Sequence, residues 1–488
     1  MPGRRPPSRH SVRRFTASRS GGVTGRHSSE QVNALTYFPL SPEQESMLFL
    51  EGLFGPGIFH NMRVTVAVPE GVGVDAVRDA VTCFQQRQDA LRTRLCGRSP
   101  FVQAVTAGTA DLVVTTAGPG EDAVALLERR RAELLNTEQH RGEAARTHFE
   151  LVQDAEEGRE RHLTVALDHF TCDGNSAAIV AADLTRLLQG RGGLGPLPKG
   201  FADLCRDRST RAGAQREKEL RGWTAAMEQV EPLTGLMPHR SAGAADAVPL
   251  TRSQVDSTFV GSELYDLVKA VSETHESTPF AVMSALTALA IWRRSGRNRF
   301  VVFSPVSTRR DAASEAAVGL FAHDRPVVCR VDPGQPLSAF MKAMMAGTWR
   351  GFRGALLSVP ELAREIPEFG RTLLDDGAEY IQLHVWMEDA DDAHAADPVE
   401  RRVVTEHGVF EPSHDLTVTT WRFGFSPRRT TLRSYFGGPA GGLEVSEEIG
   451  HEVLTLLRAA AGADDGPVGR LVESTLGAAI GSPHRPEH

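Results

Sequence analysis

The chain has 488 residues, of which 41% are hydrophobic and 24% charged, with a formal net charge of -8. That length suits two domains of roughly 200 residues, each with its own core. The mildly acidic balance argues against a nucleic-acid partner, and no run approaches the roughly 18 apolar residues of a membrane span. A protein with no membrane partner and a cytoplasmic location is therefore expected. The five scattered cysteines (Cys83, Cys96, Cys172, Cys205, Cys329) form no CxxC pair, so neither a disulfide framework nor a metal site is expected.

Residues 1–35 read as a disordered tail, because the first 27 carry seven arginines and no acid and cannot bury enough apolar surface to fold. Ordered sequence begins near Tyr37. Ser41 is placed to cap a helix running to about residue 53, Pro42 suits its first turn, and Gln44 or Glu45 completes the cap. A second helix over 74–87 carries Val74, Val77, Val81 and Phe84 at helical spacing. A third, capped by Asn175 or Ser176, aligns Val180, Leu184 and Leu188 on one face and ends before Gly190.

The stretch 237–249 is the candidate linker between an N-terminal lobe, 36–236, and a C-terminal lobe, 250–470, with a tail from 471 to 488. In the second half, Thr278-Pro279 opens a helix through 281–294, and residues 300–303 and 380–387 read as strands. Residues 389–400 read as a solvated loop. Two further strands, 415–425 and 430–435, precede a helix over 446–459. The class is mixed α/β or α+β. The Gly-rich runs 190–195 and 437–442 contain no Walker-type lysine and read as loops.

Between a strand-like run, 163–167, and the third helix lies Asp168-His169-Phe-Thr-Cys-Asp173-Gly174, a DHxxxDG pattern. An imidazole held between two rigid elements is mostly neutral near pH 7 and can accept or orient a proton. The N–H of Gly174, opening the helix, is a candidate oxyanion donor beside it. These two residues suit acyl transfer.

The motifs together resemble the stand-alone condensation domains of nonribosomal peptide synthesis, within the chloramphenicol-acetyltransferase-like acyltransferase superfamily. Pro39-Leu-Ser-Pro-Glu-Gln44 is similar to the family's opening motif and Arg87-Gln-Asp-Ala-Leu-Arg92-Thr-Arg to its RHExLRT segment. Asp168–Gly174 stands where HHxxxDG belongs, Ser304-Pro-Val-Ser-Thr-Arg309 resembles a strand ending in PVxGR, and Val318-Gly-Leu-Phe321 resembles the start of GxFVNT. Three departures stand out. Asp168 replaces the first motif histidine, His323-Asp324 replaces Asn-Thr, and an RNPL-type motif is missing. The DHxxxDG form is also similar to that of dihydrolipoamide acyltransferases.

The resemblance implies two acetyltransferase-like lobes in a V-shaped pseudo-dimer with a central tunnel. It gives Asp173 a structural role, pointing away from the tunnel and paired with Arg309 or Arg92. Ser304 and Gln382 align with channel-facing positions, and Asp168, His323 and His384 are further candidates for the tunnel wall. The expected activity joins an acyl or aminoacyl group, carried as a phosphopantetheine thioester on a carrier protein acting in trans, to a small-molecule amine or alcohol. The product would be an amide or ester, with no bound cofactor. A soluble acyl-CoA donor is one alternative reading, and a non-catalytic homologue that binds carrier proteins is the other.

Overall fold

A computed structural model describes residues 37–55, 61–97, 100–118, 120–136, 147–154, 161–210, 213–239, 250–353, 357–388, 401–407 and 412–478. The expected basic tail, most of the expected linker and the loop 389–400 lie outside these residues. Helices and strands are interspersed along the chain, as the mixed class predicts.

The helix ends follow the local chemistry. Ser41 and Gln44 cap Pro42–Phe54 reciprocally: Gln44 N donates to Ser41 Oγ (3.2 Å) and Ser41 N to Gln44 Oε1 (3.1 Å). Thr278 accepts from Ala281 N at the start of Pro279–Ser295, and Gly296, at φ 66°, closes that helix in the left-handed conformation. Two boundaries differ from expectation. The last long helix, Gly442–Ala461, starts four residues early, and the Phe436 ring occupies the space that a β-carbon at position 442 would need. Val468–Leu476 is a helix with Val472 buried, so part of the expected tail from 471 belongs to the fold.

The first half builds a four-stranded sheet in the order Met62–Ala67, Arg161–Leu167, Thr147–Gln153, Leu112–Thr116. Its core joins Val77, Val81 and Phe84 of one helix to Val180, Leu184 and Leu188 of another. A separate three-stranded sheet contains Tyr37–Pro39, Val102–Val105 and Thr93–Cys96. The second half forms a seven-stranded sheet in the order Ala322–Arg330, Arg299–Ser307, Ala378–Met387, Leu416–Phe425, Arg429–Gly438, Thr251–Val260, Arg401–His407. One face of it packs Val302, Ile381, Leu383, Trp421 and Phe423 against the helices that carry Leu286, Leu289 and Leu457.

The halves exchange parts. Leu50, Leu53 and Phe54 of the first long helix, and Trp223 and Met227 of Ala214–Met227, join a core with Phe303, Tyr380 and Val418 of the second-half sheet. Ala317, Val318 and Phe321 enter the first-half core in return. Residues 36–488 accordingly form one compact unit. No helix among the described residues is long and apolar enough to cross a membrane.

One buried carboxylate ties the end of the first half to the large sheet. Glu379 Oε1 accepts from Leu236 N (2.7 Å), Met237 N (2.9 Å) and His239 Nε2 (3.0 Å). The Glu379 hydrogen bond raises the His239 pKa against the opposing effect of burial, with Glu379 and Asp415 adding favourable charge. A histidine stabilised in its charged form contributes fully below its unfolded pKa and loses that contribution as pH rises through the folded value. Urea unfolding between pH 6 and 8 should therefore show a falling stability component that is absent in His239→Gln.

Candidate active site

Strand Arg161–Leu167, buried along most of its length, delivers the chain to Asp168. Asp168 Oδ1 accepts from Phe170 N (3.0 Å) and caps a short 3-10 turn, His169–Thr171. Asp173 then caps helix Gly174–Leu188 by accepting from Ser176 N (2.7 Å) and Ser176 Oγ (2.8 Å). Two caps five residues apart fix both ends of the turn that carries half-buried His169. From the opening helix, Gln44 Nε2 donates to Phe170 O (3.2 Å) and supports the turn from below.

The same Asp173 carboxylate reaches across to the second half. Arg309 Nη2 donates to Asp173 Oδ1 (2.9 Å) and to Ser176 Oγ (3.0 Å), and Phe321 N donates to Asp173 Oδ2 (3.0 Å). Arg309 also donates to the carbonyls of Ala317 (2.9 Å) and Ser314, and lies 4.3 Å from the Phe321 ring centroid. Gly319 closes the joint: its N–H donates to Ser176 Oγ (3.1 Å), and its carbonyl accepts from the same hydroxyl (2.8 Å). A β-carbon at 319 would collide with the Phe201 and Phe321 rings, so the approach requires glycine there.

Of the two arginines expected beside Asp173, Arg309 is present and Arg92 is not. Arg92 instead donates to the carbonyls of Gln85 (3.0 Å) and Thr106 (2.6 Å), binding a helix end to a strand end. Gly174 is exposed, and a β-carbon there would meet open space. Cys172 is fully buried, and burial with the charges of Asp173 and Asp168 pushes its thiol well above the ordinary range. It is therefore no nucleophile at neutral pH.

Phe321 leads directly into strand Ala322–Arg330, and this brings Asp324 towards His169. Asp324 Oδ2 accepts from Tyr380 Oη (2.6 Å) and Gln382 Nε2 (2.5 Å). Burial raises the Asp324 pKa, opposed by these two hydrogen bonds and by the charges of His169 and Arg422. Thr420 Oγ1 donates to Gln382 Oε1 (2.8 Å) and extends the network across the sheet. His384, two residues beyond Gln382, pairs in register with Arg422 and so shares Gln382's face. Burial and the Arg422 charge push the His384 pKa down to about 3, which keeps this imidazole neutral.

The expected wall residues thus divide. Gln382 and His384 share the polar face with Asp324, but three others do not. Ser304 adjoins Phe303, which pairs with Gln382, so alternation turns Ser304 to the opposite face, where it is 3% exposed. His323 is likewise turned away. Its Nδ1 lies 3.2 Å from Ser46 Oγ, and burial with Arg325 and Arg208 pushes its pKa down to about 3 against Glu43. Asp168 is spent on capping its own turn.

Sequence reasoning missed Asp324, Tyr380, Thr420 and Arg422. The available signal was charge in a buried strand: His323-Asp324-Arg325 sits within a run that is otherwise apolar from Pro326 onward. Such charges require partners across the sheet. A cavity of about 960 Å³ between Ala214–Met227 and Leu337–Arg353 is lined by none of these residues. Among the described residues no cluster of His, Cys, Asp and Glu is suited to a metal ion.

The joint at Asp173 yields a stability prediction. Both side chains of the pair are almost completely buried, so removing one leaves the other uncompensated. Arg309→Met should lower the unfolding free energy by about 3–5 kcal/mol, measured by urea denaturation. Asp173→Asn, which keeps shape and two acceptor lone pairs, should cost less than Asp173→Ala.

This arrangement has counterparts among known proteins. The family model described as condensation domain matches residues 35–367. Phosphinothricin tripeptide synthetase PhsC of Streptomyces viridochromogenes is 25% identical over 424 residues, covering 82% of this chain and 36% of that protein. Cyclosporin synthetase of Tolypocladium inflatum is 22% identical over 323 residues, covering 62% of this chain and 2% of its own length. The chain thus spans only a minor part of these relatives. Among solved structures, the condensation domain of monacolin K polyketide synthase aligns with TM-score 0.65 at 15% identity, covering 88% of this chain and 99% of that one. SgcC5 from Streptomyces globisporus aligns with TM-score 0.65 at 20% identity, covering 88% and 100%. The starter condensation domain of rhizomide synthetase, in complex with C8-CoA and Leu-SNAC, aligns with TM-score 0.64 at 15% identity, covering 89% and 96%. With its mixed α/β fold and the family model matched over residues 35–367, the chain belongs to the condensation-domain family.

Proposed function

We propose that this protein is a condensation-type acyltransferase. It joins an acyl or aminoacyl group, delivered as a phosphopantetheine thioester on a separate carrier protein, to a small-molecule amine or alcohol. His169 lies on a turn fixed at both ends, and its charge acts on Asp324 of the other half, which Gln382 holds; this convergence carries the reading. The proposed tunnel runs between the two halves past His169.

In the reaction, the neutral acceptor nitrogen or oxygen attacks the thioester carbonyl, and a C–N or C–O bond forms. The developing oxyanion is met by the N–H at Gly174 at the start of the helix. The C–S bond then breaks. The proton lost by the nucleophile passes through His169 to the thiolate, so amide or ester and free thiol are the products. His169 acts as base and acid without a covalent intermediate. Asp173 and Arg309 act only through the loop they hold.

Acyl-loaded carrier protein incubated with amine and alcohol acceptors, followed by intact-mass spectrometry, tests the proposal. Wild type should strip the acyl group and form an equal amount of amide or ester. His169→Ala, with unchanged thermal unfolding, should be slower by about 10²–10⁴-fold. Equal rates in the two proteins would remove His169 from the mechanism. Carrier binding without transfer to any acceptor, or to an acyl-CoA-fed reaction, would favour a non-catalytic binding role.

A further inference from the structure

The polar face beside His169 carries hydrogen-bonding atoms that the described residues leave unfilled. Both donors to Asp324 converge on Oδ2, and Oδ1 makes no hydrogen bond among the described residues, although the residue is only 6% exposed. Further along the same face, the Arg422 guanidinium stands 4.9 Å from the Tyr435 ring centroid. Among the described residues it forms no ion pair, although its charge acts on Asp324, and its buried Nε has no acceptor. The neighbouring arginine of the next strand, Arg433, is by contrast held by Asp256 at 2.6 Å. His384 Nε2, buried beside Arg422, also lacks a hydrogen-bond partner among the described residues.

These groups form two poles. Asp324 is bonded to Gln382, while Arg422 is in register with His384, two residues along the strand. The anionic and cationic poles are thus offset by roughly 7 Å along the strands and by roughly 5 Å across them. A neutral imidazole and a guanidinium together are suited to a carboxylate. Two charge-assisted hydrogen bonds of about 2.8 Å with an α-amino acid between them fill such a span. Buried polar atoms are normally paired, so a ligand carboxylate would satisfy Arg422 Nε and His384 Nε2, while its ammonium would reach the Asp324 oxygen that Tyr380 and Gln382 leave free.

We propose that the acceptor is a free amino acid, its amino group received by Asp324 next to His169 and its carboxylate by Arg422 and His384. This rests on the acyl-transfer reading and narrows the acceptor class. The bound ammonium gives up one proton to solvent. The neutral amine then attacks the thioester carbonyl, its second proton passes by way of His169 to the departing thiolate, and an N-acyl amino acid with a free carboxylate leaves. An acceptor tethered through its own carboxyl, as an ester or thioester, cannot present the charge that Arg422 awaits.

Titration calorimetry with the twenty common L-amino acids and their methyl esters tests this without requiring turnover. At least one free acid should bind wild type about tenfold or more tightly than its ester, in line with a hydrogen bond to a charged group. Arg422→Gln, with thermal unfolding preserved, should bring the ratio close to one, and Arg422→Lys should retain part of it. Esters binding as well as acids, no member of the panel binding, or an unaltered ratio in a folded Arg422→Gln would overturn the proposal. The acyl-transfer reading fails separately, if acyl-loaded carrier loses its acyl group to no acceptor of any kind.

Discussion

The interaction on which the site depends is the burial of the Asp173 carboxylate. A carboxylate removed from water is costly unless charge and hydrogen bonds replace its hydration. Here the replacements come from both halves: Ser176 from the first, and the Arg309 guanidinium and Phe321 N–H from the second. The two halves can satisfy Asp173 only in one relative placement, because Gly319 must lie against Ser176 Oγ for the set to close. The His169 turn begins four residues before this carboxylate and inherits the placement. An Asp-to-Arg bridge thus does for position what no flexible loop could do, while touching no reacting atom.

The second consequence concerns the large sheet. One of its faces is an apolar core under helices. The opposite face is apolar only where Phe303, Tyr380 and Val418 meet the first-half helices, and it turns polar from Asp324 to Arg422. Charges on a sheet face shielded from bulk water interact more strongly than on an open surface, which is what the proposed acceptor site draws on. The imidazole comes from one half and the polar wall from the other. Neither half holds a complete site, which explains why so much of the chain is devoted to joining them.

Much of this was legible in the sequence. The caps at Ser41 and Thr278 follow from residue type, and the helical faces of Val77–Phe84 and Val180–Leu188 follow from spacing. The His169 turn was visible as a titratable residue between a strand and a helix start. Arg309 as the partner of Asp173 was reachable only through family resemblance, and even then Arg92 competed with it, since nothing local distinguishes two arginines 217 positions apart. The strand faces were not legible. Strands buried on both sides lack polar alternation, so Ser304 and Gln382 looked equivalent until the pairing of Gln382 with Phe303 separated them. His323 and Asp324 presented the same ambiguity, and the histidine drew attention because it titrates near neutrality in isolation, whereas burial keeps it neutral here.

The central claim is that one carboxylate joins the halves at the His169 turn. Native-state hydrogen exchange, read by mass spectrometry on peptides covering 168–176 and 317–322, tests it most directly. The Ser176 and Phe321 amides donate to the same side chain from opposite halves. If the joint opens as a unit, the two peptides share one protection free energy, and Arg309→Met lowers both together. Ready exchange around Phe321 while the peptide containing Ser176 stays protected would mean that the halves separate without disturbing the turn, contradicting the account.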